Sequence, residues 1–357
     1  MKLKIRTATL NDMLSKASAG ASRNKLIPIT QLLGIRLEGG ELTLTTTDGT
    51  NILRVIEKGI EGQDGFVTIE IDLIYRLIGK LTTEFTEIEL TDNNLTIKSN
   101  GIYNIDIPLD EEGEIIEFPS YDLDYEKAQE FTLKSEDIRN IIDINKPALA
   151  TTMENPVLVD YYIGDKVFST DTFKVCANDL NLLPEDMLLS SDLMDLLGLI
   201  NDKEFTMYSA DGINRFKSST VVIDSPELDN IEEYPIDAIQ GLLDTEFEHS
   251  CKISRKDLLG ILDRLQIFVS PYDRNTIKMI FEKDKLICQS KQNNGREELA
   301  YKSVDNFISY ECDIDIELLK SQVEAQTSDE IELFYGHDVA IKMKNEKVTQ
   351  IVALLQE

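Results

Sequence analysis

The residues with chemical potential are few and far apart. Cys176, Cys251, Cys288 and Cys312 are separated by tens of residues with no C-x-x-C pair, and His249 and His337 are the only histidines. A zinc site or a disulfide framework uses closer spacing, so four reduced, mostly buried thiols are expected. Asp313-Ile314-Asp315-Ile316-Glu317 places carboxylates at alternate positions, the donor type a divalent cation takes. Its intervening isoleucines read instead as a strand running into a helix. Gly59, Gly62 and Gly65 are spaced G-x-x-G-x-x-G, which matches no phosphate cradle, and there is no G-x-S-x-G, H-E-x-x-H or Walker-type loop. Neither catalysis nor a resident cofactor or metal is expected.

What remains is charge. The 357 residues carry 36 Lys plus Arg against 66 Asp plus Glu, a formal net charge of −30, with 42% apolar residues. That much apolar material builds cores, unlike a disordered acidic tail, and the length suits two or three domains of roughly 100 to 200 residues. No apolar leader segment follows Met1, and no apolar run approaches the roughly 18 residues of a membrane span. A soluble, cytoplasmic protein (host cytoplasm if the source is viral) with no membrane partner is expected. On average a field of this sign repels phosphate, so the placement of the bases decides whether a nucleic acid can be a partner.

The elements that position those bases follow a weak internal repeat of about 110 to 125 residues, the period of a repeated domain. Each copy runs strand, helix, hairpin, strand, helix, hairpin. The first strands are Lys2 to Arg6, Glu130 to Leu133 and Ser250 to Ile253; the helices after them begin near Ala8, at Ser135 and at Ser254. Ser135-Glu136-Asp137 has the N-cap and first-turn acids that favour a helix start. Hairpin turns follow at Gly39-Gly40, Gly164-Asp165 and Lys283-Asp284. Amphipathic second helices are expected near Asp72–Thr82, Ser190–Asn201 and Ile314–Ala325. Acidic, proline-bearing stretches at Pro108–Asp124 and Asp224–Pro235 read as exposed connectors, giving domains at 1–123, 124–247 and 248–357. The expected fold class is α+β, three repeated domains each with two helices packed on antiparallel sheets.

By those boundaries the copies carry 12 bases and 20 acids, 9 and 26, and 15 and 20, so the acid is concentrated in the middle copy. Lys16 and Arg23 are seven residues apart on or just after the first helix, and Arg139 and Lys146 repeat the spacing in copy two. Such pairs return to one helical stripe. Arg76 and Lys80 stand at i and i+4; Arg255, Lys256, Arg264 and Lys320 supply bases in copy three, whereas the second helix of copy two has Asp192 and Asp195 and no base. Bases on a helix surface ordinarily just solvate it. Copies set around a common axis would instead present them to one central polyanion, gripping any sequence.

Ala19-Gly20-Ala21-Ser22-Arg23-Asn24-Lys25-Leu26-Ile27-Pro28-Ile29, Leu42-Thr43-Leu44-Thr45-Thr46-Thr47-Asp48-Gly49-Thr50, Ser169-Thr170-Asp171, Tyr234-Pro235 and the β-rich end Val348 to Leu355 carry a resemblance. Over essentially its whole length the chain resembles the bacterial β sliding clamp, the processivity factor family of the DNA polymerase III beta subunit. The resemblance implies three similar domains, a head-to-tail homodimer closing as a ring around double-stranded DNA without sequence preference, and tethering of a replicative DNA polymerase and a clamp loader through short linear peptides. It also implies that Arg23 contacts DNA and that Lys16, Arg76, Lys80, Arg139, Lys146, Lys256, Arg264 and Lys320 are candidates for the channel lining. For the dimer interface it implies Tyr103, Ile105 and Ile107 of one copy against Phe268 and Val269 of the other.

The peptide cleft implied by the resemblance comprises Leu158, Thr170, Thr172, Phe173, Lys174, Val175, Pro235, Ile239, Gln240, Ile351, Val352, Ala353, Leu354 and Leu355. Here the chain departs from the family pattern. The usual Thr-Asp-Gly-His-Arg-Leu stands as Thr170-Asp171-Thr172-Phe173-Lys174-Val175, and a Met-Pro-Met-Arg ending stands as Ala353-Leu354-Leu355-Gln356. The alternative reading is an acidic interaction protein, a DNA mimic or clamp decoy that does not encircle DNA, and the acid-rich copy two is its best support.

Overall fold

The computed structural model describes residues 1–22, 26–91, 94–301, 307 and 309–356. Among them are seven α-helices: α1 (Thr7–Ala17), α2 (Ile71–Ile78), α3 (Ser135–Asn145), α4 (Ser191–Leu199), α5 (Ile236–Leu243), α6 (Arg255–Leu265) and α7 (Ile316–Ala325). The apolar periodicity explains them. α1 buries Leu10, Met13, Leu14 and Ala17, and α6 buries Leu258, Ile261, Leu262 and Leu265, the three-and-four spacing of a helix laid on a sheet. Ser254 caps α6 by accepting from the Asp257 amide, as its sequence position suggests. Ser135 does otherwise: its hydroxyl donates to the Asp202 carbonyl at 2.6 Å.

The chain packs as two compact units, residues 1–138 with 192–227, and residues 139–191 with 228–357. The first holds an eight-stranded antiparallel sheet in the order Gln129–Lys134, Glu204–Ala210, Ile213–Lys217, Val221–Pro226, Ile52–Lys58, Glu41–Thr47, Leu32–Glu38, Gly65–Glu70. The second has its counterpart, Met187–Ser190, Asp160–Ile163, Val167–Thr170, Lys174–Asn178, Val348–Ala353, Ala340–Lys344, Glu330–Tyr335, His249–Ser254. Each is two four-stranded halves joined at one antiparallel pair. In the first unit Val55 faces Val221 and Ile52 faces Asp224; in the second Lys174 faces Val352 and Asn178 faces Val348.

The remaining two sheets lack such a joint. The first unit has a five-stranded sheet ending on Ile102–Asp106, and the second a four-stranded sheet ending on Arg296–Ala300. By position in the repeat, Ile102–Asp106 corresponds to Val221–Pro226, and Arg296–Ala300 to Ile52–Lys58. The repeat extends to the turns: Pro28, Pro156 and Pro271 each open a short 3-10 turn between a first helix and its hairpin, where proline's fixed φ suits the first helical position.

One expectation needs correction. Asp224 does not lie in an exposed connector: it is fully buried inside Val221–Pro226, held by Arg54 and by Arg215, whose Nε donates to Asp224 Oδ1 at 2.5 Å. Beyond Pro235 the chain forms α5, to which no expectation applied. The signal was present as Ile236, Ile239, Leu242 and Leu243 behind Pro235, a short helical stripe. The connector before residue 124 is pinned as well: Arg215 Nη2 donates to the Tyr121 carbonyl at 2.7 Å and Nη1 to the Tyr125 hydroxyl at 3.1 Å.

The four thiols are free and buried as expected. Burial pushes each of them up to about 12, which starves them of the reactive thiolate. In the native protein all four should resist Ellman's reagent at mildly alkaline pH and all should react in denaturant; one promptly reacting thiol would contradict the burial. Asp315 ends the strand Tyr310–Asp315 and caps α7 through the amides of Glu317 and Leu318. No group of metal-ligating residues occurs among the described residues, and no helix there is long and apolar enough to cross a membrane.

Candidate nucleic-acid interface and peptide cleft

In the first unit α1 and α2 pack side by side, and both carry a base in the last turn, where the helix dipole favours a cation. Lys16 Nζ lies 3.1 Å from the Asp12 carboxylate and donates to Thr220 Oγ1 at 3.3 Å. Thr220 donates onward to Asp202 at 2.9 Å, so that acid faces hydroxyls with a cation close behind. Arg76 is exposed, its Nε donating to the Asp72 carbonyl one turn back. Lys80 is exposed and forms no ion pair among the described residues. Arg23 lies outside the described residues.

In the second unit Arg139, Lys146 and Lys256 are exposed. Arg264 forks onto Glu297, Nε to Oε1 at 2.7 Å and Nη2 to Oε2 at 2.5 Å; that contact raises the arginine's pKa and lowers the glutamate's. Lys320 lies 2.7 Å from Asp263 and donates to Gln266 Oε1 at 2.9 Å. Lys16, Arg264 and Lys320 thus already hold carboxylates. One partner of each pair stands in solvent, and ion pairs open to water contribute only about 0–1 kcal/mol. α4 carries Asp192 in its first turn and no base.

The turn at 170–174 is an atom-by-atom repeat of the turn at 47–51. Thr170 Oγ1 donates to the Lys174 carbonyl at 2.7 Å, and Thr47 Oγ1 to the Asn51 carbonyl at 2.7 Å. Asp171 Oδ1 accepts from the amides of Phe173 and Lys174, as Asp48 Oδ1 does from those of Thr50 and Asn51. The third residue of each turn is left-handed, Gly49 at φ 105° and Thr172 at φ 77°. A left-handed L-residue costs roughly 1–2 kcal/mol, and glycine returns about 0.5–1 kcal/mol of that in unfolded-state entropy. Thr172→Gly should therefore stabilise the protein by up to about 1 kcal/mol, read as a raised midpoint of chemical unfolding; a lowered midpoint would show that the threonine side chain makes a contact of greater value.

The turn presents Phe173, 60% exposed, two residues before Val175 of an apolar cluster. That cluster gathers Leu158, Val175, Ile239 and Ile351 with Tyr162, Tyr234 and Phe168. Sequence reasoning did not assign Tyr162, although its ring lies 5.2 Å from that of Tyr234 and its hydroxyl donates to Asp186 at 2.6 Å. Pro235 and Gln240 flank Ile239 at the ends of its helical turn, Pro235 half-buried and Gln240 exposed. Lys174 turns away, its Nζ donating to the Pro147 carbonyl at 2.6 Å. The Ala353 amide donates to the Phe173 carbonyl at 2.8 Å, which ties the tail to the turn. Val352 and Leu354 belong to the neighbouring core of α6 and α7, while Leu354 and Leu355 line a cavity of about 400 Å³ with Tyr310 and Cys312.

At the implied dimer interface, Tyr103 is half-buried and Ile105 and Ile107 are buried; the exposed apolar side chain of that strand is Ile102. Val269 is half-buried; Phe268 is exposed beside Ile267 and Tyr272.

Paired helices over antiparallel sheets, with the half-sheet module repeated and joined edge to edge, define the fold of a β clamp. Residues 1–121 match the family model of the DNA polymerase III beta subunit, N-terminal domain, which bears out the resemblance read from the sequence. The structure is similar to the DNA polymerase III subunit beta of Pseudomonas aeruginosa (TM-score 0.87, 15% identity, 100% of each chain). It is equally similar to the DNA polymerase sliding clamp of Bacillus subtilis (TM-score 0.86, 16% identity, 100% of this chain and 99% of that one). A third similar structure is the C. crescentus beta sliding clamp, solved with polyethylene glycol at a proposed beta-motif tethering region (TM-score 0.86, 15% identity, 100% of each chain). No curated protein sequence matches the chain.

Proposed function

We propose that the protein is a DNA sliding clamp: a non-catalytic replication processivity factor whose two copies close head to tail around duplex DNA and tether a polymerase and clamp loader through short peptides. One observation carries the reading. Two of the joints that the repeat calls for are made within the chain, and the strands of a third joint, Ile102–Asp106 and Arg296–Ala300, stand at the ends of their sheets. Pairing each with its counterpart on a second copy satisfies both edges and closes the assembly, since a heterologous contact that repeats twice and closes makes a two-membered ring. Three copies per chain, at 1–123, 124–247 and 248–357, then give six domains. Ile102, Ile267, Phe268 and Tyr272 supply exposed apolar area near those two edges.

Within that ring Lys16, Arg23, Arg76, Lys80, Arg139, Lys146, Lys256, Arg264 and Lys320 hold phosphates, weakly enough to slide. The cluster of Leu158, Val175, Ile239 and Ile351, with Phe173, takes the apolar side chains of partner peptides. The functional test is retention after loading on nicked circular DNA, with linearisation of the circle as the decisive step. A DNA mimic would show no dependence on DNA topology.

A further inference from the structure

α5 walls the cleft on few contacts. Of its eight residues Ile239 is buried and Ile236 and Leu243 pack half-buried on the same cluster, and Pro235 precedes the helix without a side-chain cap. A helix this short does not persist by itself, and the carbonyls of its last turn need donors. Asp244 and Thr245 serve those of Gln240, Gly241 and Leu242, and Lys342, on the strand Ala340–Lys344, serves that of Leu243: its Nζ donates to it at 3.2 Å and to the Thr245 carbonyl just beyond the helix at 3.0 Å. The ammonium lies 4.7 Å from the ring centre of Phe247 and 5.3 Å from that of Phe334, two rings that themselves meet edge on at 6.5 Å.

The sheet register connects this contact to the cleft. Lys342 faces Phe334 on one neighbouring strand and Ile351 on the other, and Ile351 shares the apolar cluster with Ile239. One strand position therefore touches the end of α5 while its cross-strand partner forms the surface on which the middle of α5 rests. Burial, with Lys344 on the same strand face, lowers the Lys342 pKa; the carbonyls and ring faces offset the cost of keeping a cation there.

We infer that Lys342 is a positioning residue for the peptide cleft: held against two phenylalanine rings, its ammonium ties down the C-terminal end of α5 and so fixes Pro235, Ile239 and Gln240 as one wall. The inference rests on the cleft reading above. The test uses the full-length protein with Lys342→Met, which keeps the apolar stem and loses the donors and charge, and Lys342→Arg, which restores them. Two readouts are taken: amide hydrogen exchange across residues 236–247, and affinity for a fluorescein-labelled peptide selected on the wild-type protein from a random pentapeptide library and no longer bound by Phe173→Ala.

Lys342→Met should exchange on the order of tenfold faster in that segment and bind the peptide several-fold more weakly, with both restored in Lys342→Arg. Unchanged exchange would overturn the clamp. Faster exchange with unchanged affinity would overturn its role in the cleft. If no peptide of that description emerges, the cleft reading fails by itself, and the exchange measurement still decides whether Lys342 holds α5.

Discussion

Loaded onto nicked circular duplex DNA, the protein should remain bound about a hundredfold longer than on the same DNA after linearisation. The expectation follows from the weakness of the direct interactions with phosphate. Even ordinary basic proteins bind duplex nonspecifically with dissociation constants of roughly 10⁻⁴ to 10⁻⁶ M at physiological salt, and this chain carries a formal charge of −30. Three of its proposed lining bases already neutralise carboxylates. Interactions that weak hold nothing for long on an open strand, so persistence on a circle has to come from closure. Raising the salt should shorten residence on linear DNA more than on the circle. Charge reversal at Arg76, Lys80 and Lys256, all exposed, should lower the salt slope of binding by about 0.9 for each phosphate that these bases neutralise and leave the unfolding midpoint unchanged. Equal lifetimes on circular and linear DNA would remove the ring; an unchanged salt slope would remove these three bases from its wall.

Asp224→Ala should cost about 3–5 kcal/mol, the largest stability loss of the substitutions considered. Asp224 sits on one side of the joint that welds two half-sheets into the eight-stranded sheet of the first unit, opposite Ile52. Its carboxylate accepts from Arg54 across the joint and from Arg215 on its own half. Burial works against the Arg215 charge, and the bonds from Asp224 and Tyr125 more than offset it, so the pKa of this guanidinium stays above its usual value. Removing the acid leaves two partly or wholly buried guanidinium groups facing each other without compensation and frees the connector that Arg215 holds at Tyr121 and Tyr125. A chain of two compact units does not unfold in one step, so the readout should be local. Hydrogen exchange over residues 52–58 and 221–226 should rise with the first urea transition, whose midpoint should fall by about 1–2 M. Asp224→Asn should lie between the two. A loss under about 1 kcal/mol would mean that packing, and not the ion pair, holds the joint.

Several elements were legible because their cause is local. The hairpin at Gly39-Gly40 needs left-handed angles and has them, at φ 56° and 83°. α6 begins where Ser254 is able to cap it, and α7 follows the strand that alternates carboxylates with isoleucines. Two second helices are shorter than their apolar spacing predicts: the one expected over Asp72–Thr82 ends at Ile78, and the one over Ser190–Asn201 ends at Leu199. Apolar spacing marks the buried face of a helix and says little about where its backbone bonds stop.

α5 and Asp224 were missed for a different reason. An acidic stretch with a proline looks solvated when only neighbours in sequence are considered. Asp224 is compensated by Arg54, 170 residues earlier, and α5 is held by Lys342, 99 residues later than Leu243. The edge Arg296–Ala300 was likewise unassigned, because a strand's being terminal depends on which other strands reach it.

The amino-acid order by itself determined the repeat, the alternation that makes strands, the stripes that make helices, and the gathering of bases on helices α1, α2, α3, α6 and α7. Each depends on residues within a turn or a pleat of one another. The tertiary structure alone decided which strands join, which edges stay open, which bases are already occupied by acids, and how a helix with one buried residue is held, because those outcomes are set by groups brought together only when the sheets assemble.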